Sequence, residues 1–186
     1  VLRYNHIHGV ANRSSAEQEV GIMGIYLDDW TSGHVLYGNI FEDVARAVML
    51  GSGRDNTLKK NVFVNCAVGV SFDARGLGWA QYYFDGRCNT LFDLLASIPY
   101  DEPPYLQKYP QLSYLLEDDP VLPKHNAIVD NYVWGCNTWI KYLNDLTADI
   151  LVLKNNEILA KEPADWRQHP ELYPGLTAGS SLDKKG

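Results

Sequence analysis

Positive charge is scarce in this chain: 16 Lys and Arg stand against 23 Asp and Glu, for a net charge of −7. Such a surface repels phosphate backbones, which excludes nucleic acid as a partner. Cysteine is scarce too. Cys66, Cys88 and Cys136 are odd in number and widely spaced, which indicates neither a disulfide framework nor a zinc site. No apolar run approaches the roughly 18 residues that a membrane-spanning helix needs. A Gly-rich phosphate loop, a nucleophile elbow and an EF-hand loop are all missing, so no metal or cofactor is expected.

What the sequence does have is repetition. "GNIFEDVARAVML" aligns with "KNVFVNCAVGVSF", setting Asn39 against Asn61, Phe41 against Phe63 and Val44 against Cys66 at an offset of 22 residues. The same Asn-x-apolar signature recurs at Asn5, Asn131 and Asn156. Between these points lie short alternating β-branched stretches and Gly/Asn/Asp/Ser turns, with no long helical period. A unit of this length matches one turn of a parallel β-helix, an all-β solenoid in which like residues stack from rung to rung. The asparagines then form a ladder, and Val10, Val44, Cys66 and Cys136 an interior stack of apolar side chains and buried thiols. Rungs are expected over 1–160 and an irregular tail over 161–186. Because "VLRYNHIHG" opens inside a repeat and no signal peptide precedes it, the chain is expected to be the C-terminal piece of a longer β-helix, with the missing N-terminal part as its neighbour.

Two insertions interrupt the repeat. One is the polar loop Asn12–Gly21, and the other runs over about 80–125, where Asn61 and Asn131 stand 70 residues apart. Within the second, "NTLFDLLASIPY" and "YPQLSYLLEDDP" read as short helices stopped by proline. Its density of Tyr and Phe argues for a packed wall beside the coil, and loops of this length are usually functional.

One stripe of the repeat carries the chemistry. Overlaying "GIYLDD", "AVMLGSG", "GVSFDAR" and "WIKYLND" places Ile25, Val48, Val70, Ile140 and Leu27, Leu50, Phe72, Tyr142 inward. Tyr26, Met49, Ser71 and Lys141 then face outward, followed by Asp28, Gly51, Asp73 and Leu143. Asp28 and Asp73 lie two rungs apart, roughly 9–10 Å between Cβ atoms, and side-chain rotation brings them into the range of a glycosidase carboxylate pair. Gly51 between them leaves room for a sugar ring. Asp29 exchanges roles with Asp28 if the alignment slips by one residue. Tyr26, Trp30 and Trp79 offer aromatic platforms, and Arg75 and Lys141 offer cations for substrate. Asp at a strand end also caps turns, so each carboxylate alone has a structural reading. "GRDN" (53–56) reads as a turn, and His6, His8 and His34 as surface.

At "GIYLDDWTSGHVLYGNIF", "GRDNTLKKNVFVNC" and above all "FDARGLGWA" with the following "IPYDEPPYLQKYPQL", the chain resembles bacterial pectate-lyase-like right-handed parallel β-helix proteins of polysaccharide degradation. The group it resembles is glycoside hydrolase family 141. The resemblance implies a secreted, periplasmic or cell-surface protein acting on plant or complex polysaccharide, without cofactor. Asp73 and Asp28 or Asp29 take the acid and base roles there. Two alternatives stay open: a polysaccharide lyase using Lys141 or Arg75 as base, and a non-catalytic glycan-binding or structural segment.

Overall fold

The computed structural model describes residues 1–10, 22–164 and 166–167. The Asn12–Gly21 loop and all of the tail beyond Arg167 lie outside them. The first repeat supplies β1 (Leu2–Arg3), β2 (His6–His8) and β3 (Ile25–Leu27). The second supplies β4 (Val35–Tyr37), β5 (Ile40–Glu42) and β6 (Arg46–Gly51), and the third β7 (Thr57–Lys59), β8 (Val62–Val64) and β9 (Val68–Asp73). After the long insertion come β10 (Asn126–Val129), β11 (Tyr132–Trp134) and β12 (Thr138–Leu143), then β13 (Leu151–Lys154) and β14 (Glu157–Leu159). Every described pairing is parallel, and each of the first four repeats sends one strand in turn to each of three sheets, the last repeat supplying only two. The sheets run β1-β4-β7-β10-β13, β2-β5-β8-β11-β14 and β3-β6-β9-β12. Stacked parallel sheets of this kind are consistent with a β-helix-like solenoid.

The turn between the first two sheets explains the asparagine signature. Tyr4, Gly38, Lys60, Asp130 and Asn155 all have φ between 53° and 62°, a left-handed residue that swings the chain through the corner. The next residue in each repeat is the asparagine. Asn61 Oδ1 accepts from both the backbone N–H and the Nδ2 of Asn39 at 3.0 Å, and Asn61 Nδ2 donates to Asn131 Oδ1 at 3.0 Å and to the Leu36 carbonyl at 3.0 Å. The ladder runs unbroken from Asn5 to Asn156. Asn39, Asn61 and Asn131 are fully buried, so the ladder satisfies corner backbone that no water reaches.

Inside, like residues stack in the expected register. Ile25, Val48, Val70 and Ile140 align across the third sheet, as do Leu27, Leu50, Phe72 and Tyr142. Phe41 and Phe63 stack with centroids 4.9 Å apart, and Trp139 meets Phe63 edge-on at 4.8 Å. Trp139 fits because Gly69 lies beneath it: a Cβ there would come within 2.5 Å of the indole. Val10, Val44, Cys66 and Cys136 all join this core, with both cysteines free thiols. Burial and the contact with Cys136 push the Cys66 thiol far above its ordinary range. On the outside of the second sheet, Trp166 packs on Trp134 at 5.1 Å, beside Val62 and Val64.

The insertion is ordered, with α1 (Thr90–Ala96) and α2 (Tyr105–Lys108). The second expected helix is only a 3-10 turn, Pro110–Tyr114. No described helix is long and apolar enough to cross a membrane.

Candidate functional site

The outer face of the third sheet carries the expected stripe. Tyr26, Met49, Ser71 and Lys141 align across β3, β6, β9 and β12, and Gly51, Asp73 and Leu143 align one step further. Asp73 is the last residue of β9, and Asp28 follows β3 directly.

Arg75 organises this end of the face. Its backbone N–H donates to Ser52 Oγ at 2.6 Å, and that buried hydroxyl donates to the Asp73 carbonyl at 3.0 Å. Held there, the side chain folds back over Gly51, where a Cβ would come within 2.9 Å of the guanidinium carbon. The space expected to hold a sugar ring is therefore filled by Arg75. Gly51 is a glycine because a cation must lie against the strand. Arg75 Nη1 donates to Asp28 Oδ1 at 2.6 Å and also to Asp29 Oδ1, while Nη2 donates to the Tyr26 hydroxyl. Its Nε stands 3.6 Å from Asp73 Oδ2. One planar guanidinium thus touches all three expected carboxylates, which sets the Asp28 and Asp73 oxygens within about 8–9 Å of each other.

The carboxylates differ sharply in surroundings. Asp73 is 7% exposed, and burial raises its pKa above the usual carboxylate value. Asn144 Nδ2, donating to Asp73 Oδ1 at 2.6 Å, and the charge of Arg46 offset part of that rise. Asp28 lies open to solvent. Hydrogen bonds from Arg75 and then Tyr26 lower its pKa. Asp29 is open as well, and its backbone N–H donates to Asp28 Oδ1 at 2.9 Å, so the two acidic residues act as one unit. Burial, with Asp28 nearby, raises the Tyr26 phenol. Two carboxylates whose protonation is pushed in opposite directions around one cation can divide acid and base roles.

Trp79 hangs over the cluster with its ring centroid 5.9 Å from the guanidinium carbon, and Tyr26 stands at 5.4 Å. Trp79 is 58% exposed, leaving a ring face open beside the carboxylates. Trp30 departs from the expected role. It packs against Tyr83 and Phe84 at 5.9 and 5.7 Å, on an apolar cavity of about 200 Å³ formed with Phe92, Leu95 and Leu116. Trp30 is a docking residue for the insertion. Lys141 is exposed and forms no ion pair among the described residues.

Several residues were missed. "GRDN" is a turn, but Arg54 and Asn56 within it are buried. Arg54 donates to the carbonyls of Asp118 at 2.8 Å, Asp119 at 3.2 Å and Leu122 at 3.3 Å and pairs with the Asp118 carboxylate, anchoring the insertion's far end. Asn56 and Asn126 form a second ladder at the corner between third and first sheets, with Asn56 N–H donating to Asn126 Oδ1 at 3.0 Å. Asn144 and Ser52 steady Asp73 and Arg75. The positive-φ residue before Asn56 and Asn126 (Asp55 and His125) repeats the grammar of the first ladder. His6 has a carboxylate partner after all, Glu42 at 2.9 Å. Among the described residues, no three His, Cys, Asp or Glu side chains come together to hold a metal ion.

No family model matches this chain, nor does any curated protein or solved structure.

Proposed function

We propose that the chain belongs to a right-handed parallel β-helix that hydrolyses glycosidic bonds in a secreted or cell-surface setting, with Asp73 as general acid and Asp28, or its neighbour Asp29, as base or nucleophile. The observation that carries this reading is the opposite displacement of Asp73 and Asp28 around one guanidinium. Asp73, whose burial favours the protonated form, gives its proton to the glycosidic oxygen. The carboxylate of Asp28 or Asp29 then activates water or attacks the anomeric carbon, and the separation bounded by Arg75 spans the range of both outcomes. Trp79 and Tyr26 supply the aromatic faces on which sugar rings stack.

Arg75 as the base of a lyase fits less well, since Asp28, Asp29 and Tyr26 already hold its guanidinium. One observation favours a non-catalytic segment instead: the same contacts make Arg75, Asp28 and Asp29 a self-neutralised cluster closing the Gly51 gap. Hydrolysis separates the two. Against a panel of plant glycans the chain is expected to release reducing sugar, and Asp73→Asn to lower the rate by about 10²–10⁴-fold. An unchanged rate in both Asp73→Asn and Asp28→Asn, or no hydrolysis by the parent, would sink the assignment.

A further inference from the structure

Beside the carboxylates, the same outer face holds donors with nothing to donate to. Arg46, the first residue of β6, is 7% exposed, yet its Nε has no hydrogen-bond partner and its Nη1 reaches only the Met49 sulfur, at 3.8 Å. No carboxylate of the described residues lies within ion-pair distance of it. Met49 stands in register with Ser71 of β9, so the Nη1 contact puts the guanidinium beside the strand position next to Ser71. Ser71 is fully buried, and its hydroxyl also has no partner. The next residue of the row is Lys141, an exposed cation with no ion pair among the described residues. A guanidinium and a hydroxyl taken out of water without acceptors are costly to the fold. An all-donor, positively charged arrangement of this kind is matched by an anion with several acceptor oxygens.

We infer that Arg46, Ser71 and Lys141 form a binding site for an anionic substituent on the glycan, a carboxylate or a sulfate ester, so that the substrate is an acidic polysaccharide. This rests on the reading of Asp73 as the acid of a glycan-cleaving site. Ser71 and Asp73 are two residues apart on one strand and face the same way, which separates them by about 6.6 Å along the sheet. That is the span of one sugar ring, so the anionic group lies on the ring being cleaved or on its immediate neighbour. Asp73 already feels the charge of Arg46. An anion seated between them screens that charge and favours the protonated acid.

The test is equilibrium binding of trigalacturonate, its fully methyl-esterified form and a sulfated galactotriose, to the parent, Arg46→Met and Ser71→Ala, with thermal unfolding of each protein. The parent is expected to bind at least one anionic trisaccharide about tenfold or more tighter than the neutral ester. Arg46→Met should abolish that preference without lowering Tm, because an apolar side chain of similar length replaces an uncompensated buried charge. Ser71→Ala should reduce the preference several-fold. The better-bound of the two anions identifies the substituent. Equal binding of all three sugars, or a preference that survives Arg46→Met, overturns the inference. A fall in Tm for Arg46→Met does so too, by showing the guanidinium to be paired within the fold. Anion-selective binding without cleavage would sink the hydrolase and leave this site standing, and cleavage of neutral glycans with no anion preference would do the reverse.

Discussion

Arg75 is the residue on which the candidate site turns. Its backbone is clamped by Ser52, its guanidinium lies against Gly51, two carboxylates and a phenol accept from its Nη atoms, and Asp73 stands at ion-pair distance from Nε. A methyl group at position 51 has nowhere to go, with Arg75 at 2.9 Å and the Leu27 carbonyl at 3.0 Å. Gly51→Ala is therefore expected to displace the guanidinium and to cost about 1–3 kcal/mol of stability, measured by urea unfolding. An unaltered unfolding midpoint would mean that the cation is held elsewhere. The stripe holding Asp28, Gly51 and Asp73 follows from the repeat, because a period of two and a rung of 22 residues place it on one face. The guanidinium filling the Gly51 gap was not legible. Where a long side chain goes after a strand ends depends on a turn that the repeat does not encode.

At the scale of the element, the corners matter more than the strands. Strands of three residues bring few ladder hydrogen bonds of their own, and the rungs are tied together at the turns by asparagine. Asn61→Leu removes an acceptor used twice by Asn39 and a donor used by Leu36 and Asn131. Each buried group left unpaired costs about 1–3 kcal/mol, so the variant should lose several kcal/mol and raise exchange rates at the Asn39 amide. A loss below 1 kcal/mol would mean that water replaces the amide. The first ladder was legible because its asparagines precede an apolar pattern at a fixed spacing. The second, Asn56 to Asn126, was hidden because it has only two asparagines: the preceding rung has His34 at that corner, so no repeat stands out.

For the molecule as a whole, the insertion is fastened at two places. Near its start, Phe84 and Tyr83 pack on Trp30, and Gly76 admits Val121 so closely that a Cβ would lie 2.7 Å from it. At its far end Arg54 holds Asp118. Lys124 and His125 also bind that carboxylate and, with Arg54, bring its pKa down to about 2. A depressed folded pKa means that the contact stabilises fully above the unfolded value near 3.8 and is lost as pH falls from there through about 2. Arg54→Met should release this end at neutral pH, with proteolysis appearing first within 80–125 while the strands remain protected. Cleavage confined to other segments would show that the anchor is dispensable. That the insertion carries structure of its own was legible from its composition. That Trp30 belongs to its anchor was not, since nothing local separates a docking indole from a sugar platform.

If Asp73 and Asp28 divide the acid and base roles, they must titrate apart. Their side-chain carboxyl groups can be followed by ¹³C NMR across an acid titration of the folded chain, with Asp73→Asn and Asp28→Asn assigning the resonances. Asp73 should titrate above the ordinary aspartate range because it is buried, and Asp28 below it because Arg75 and Tyr26 hold its charged form. Coincident titrations within the ordinary range, or the reverse order, would contradict the division of acid and base between them.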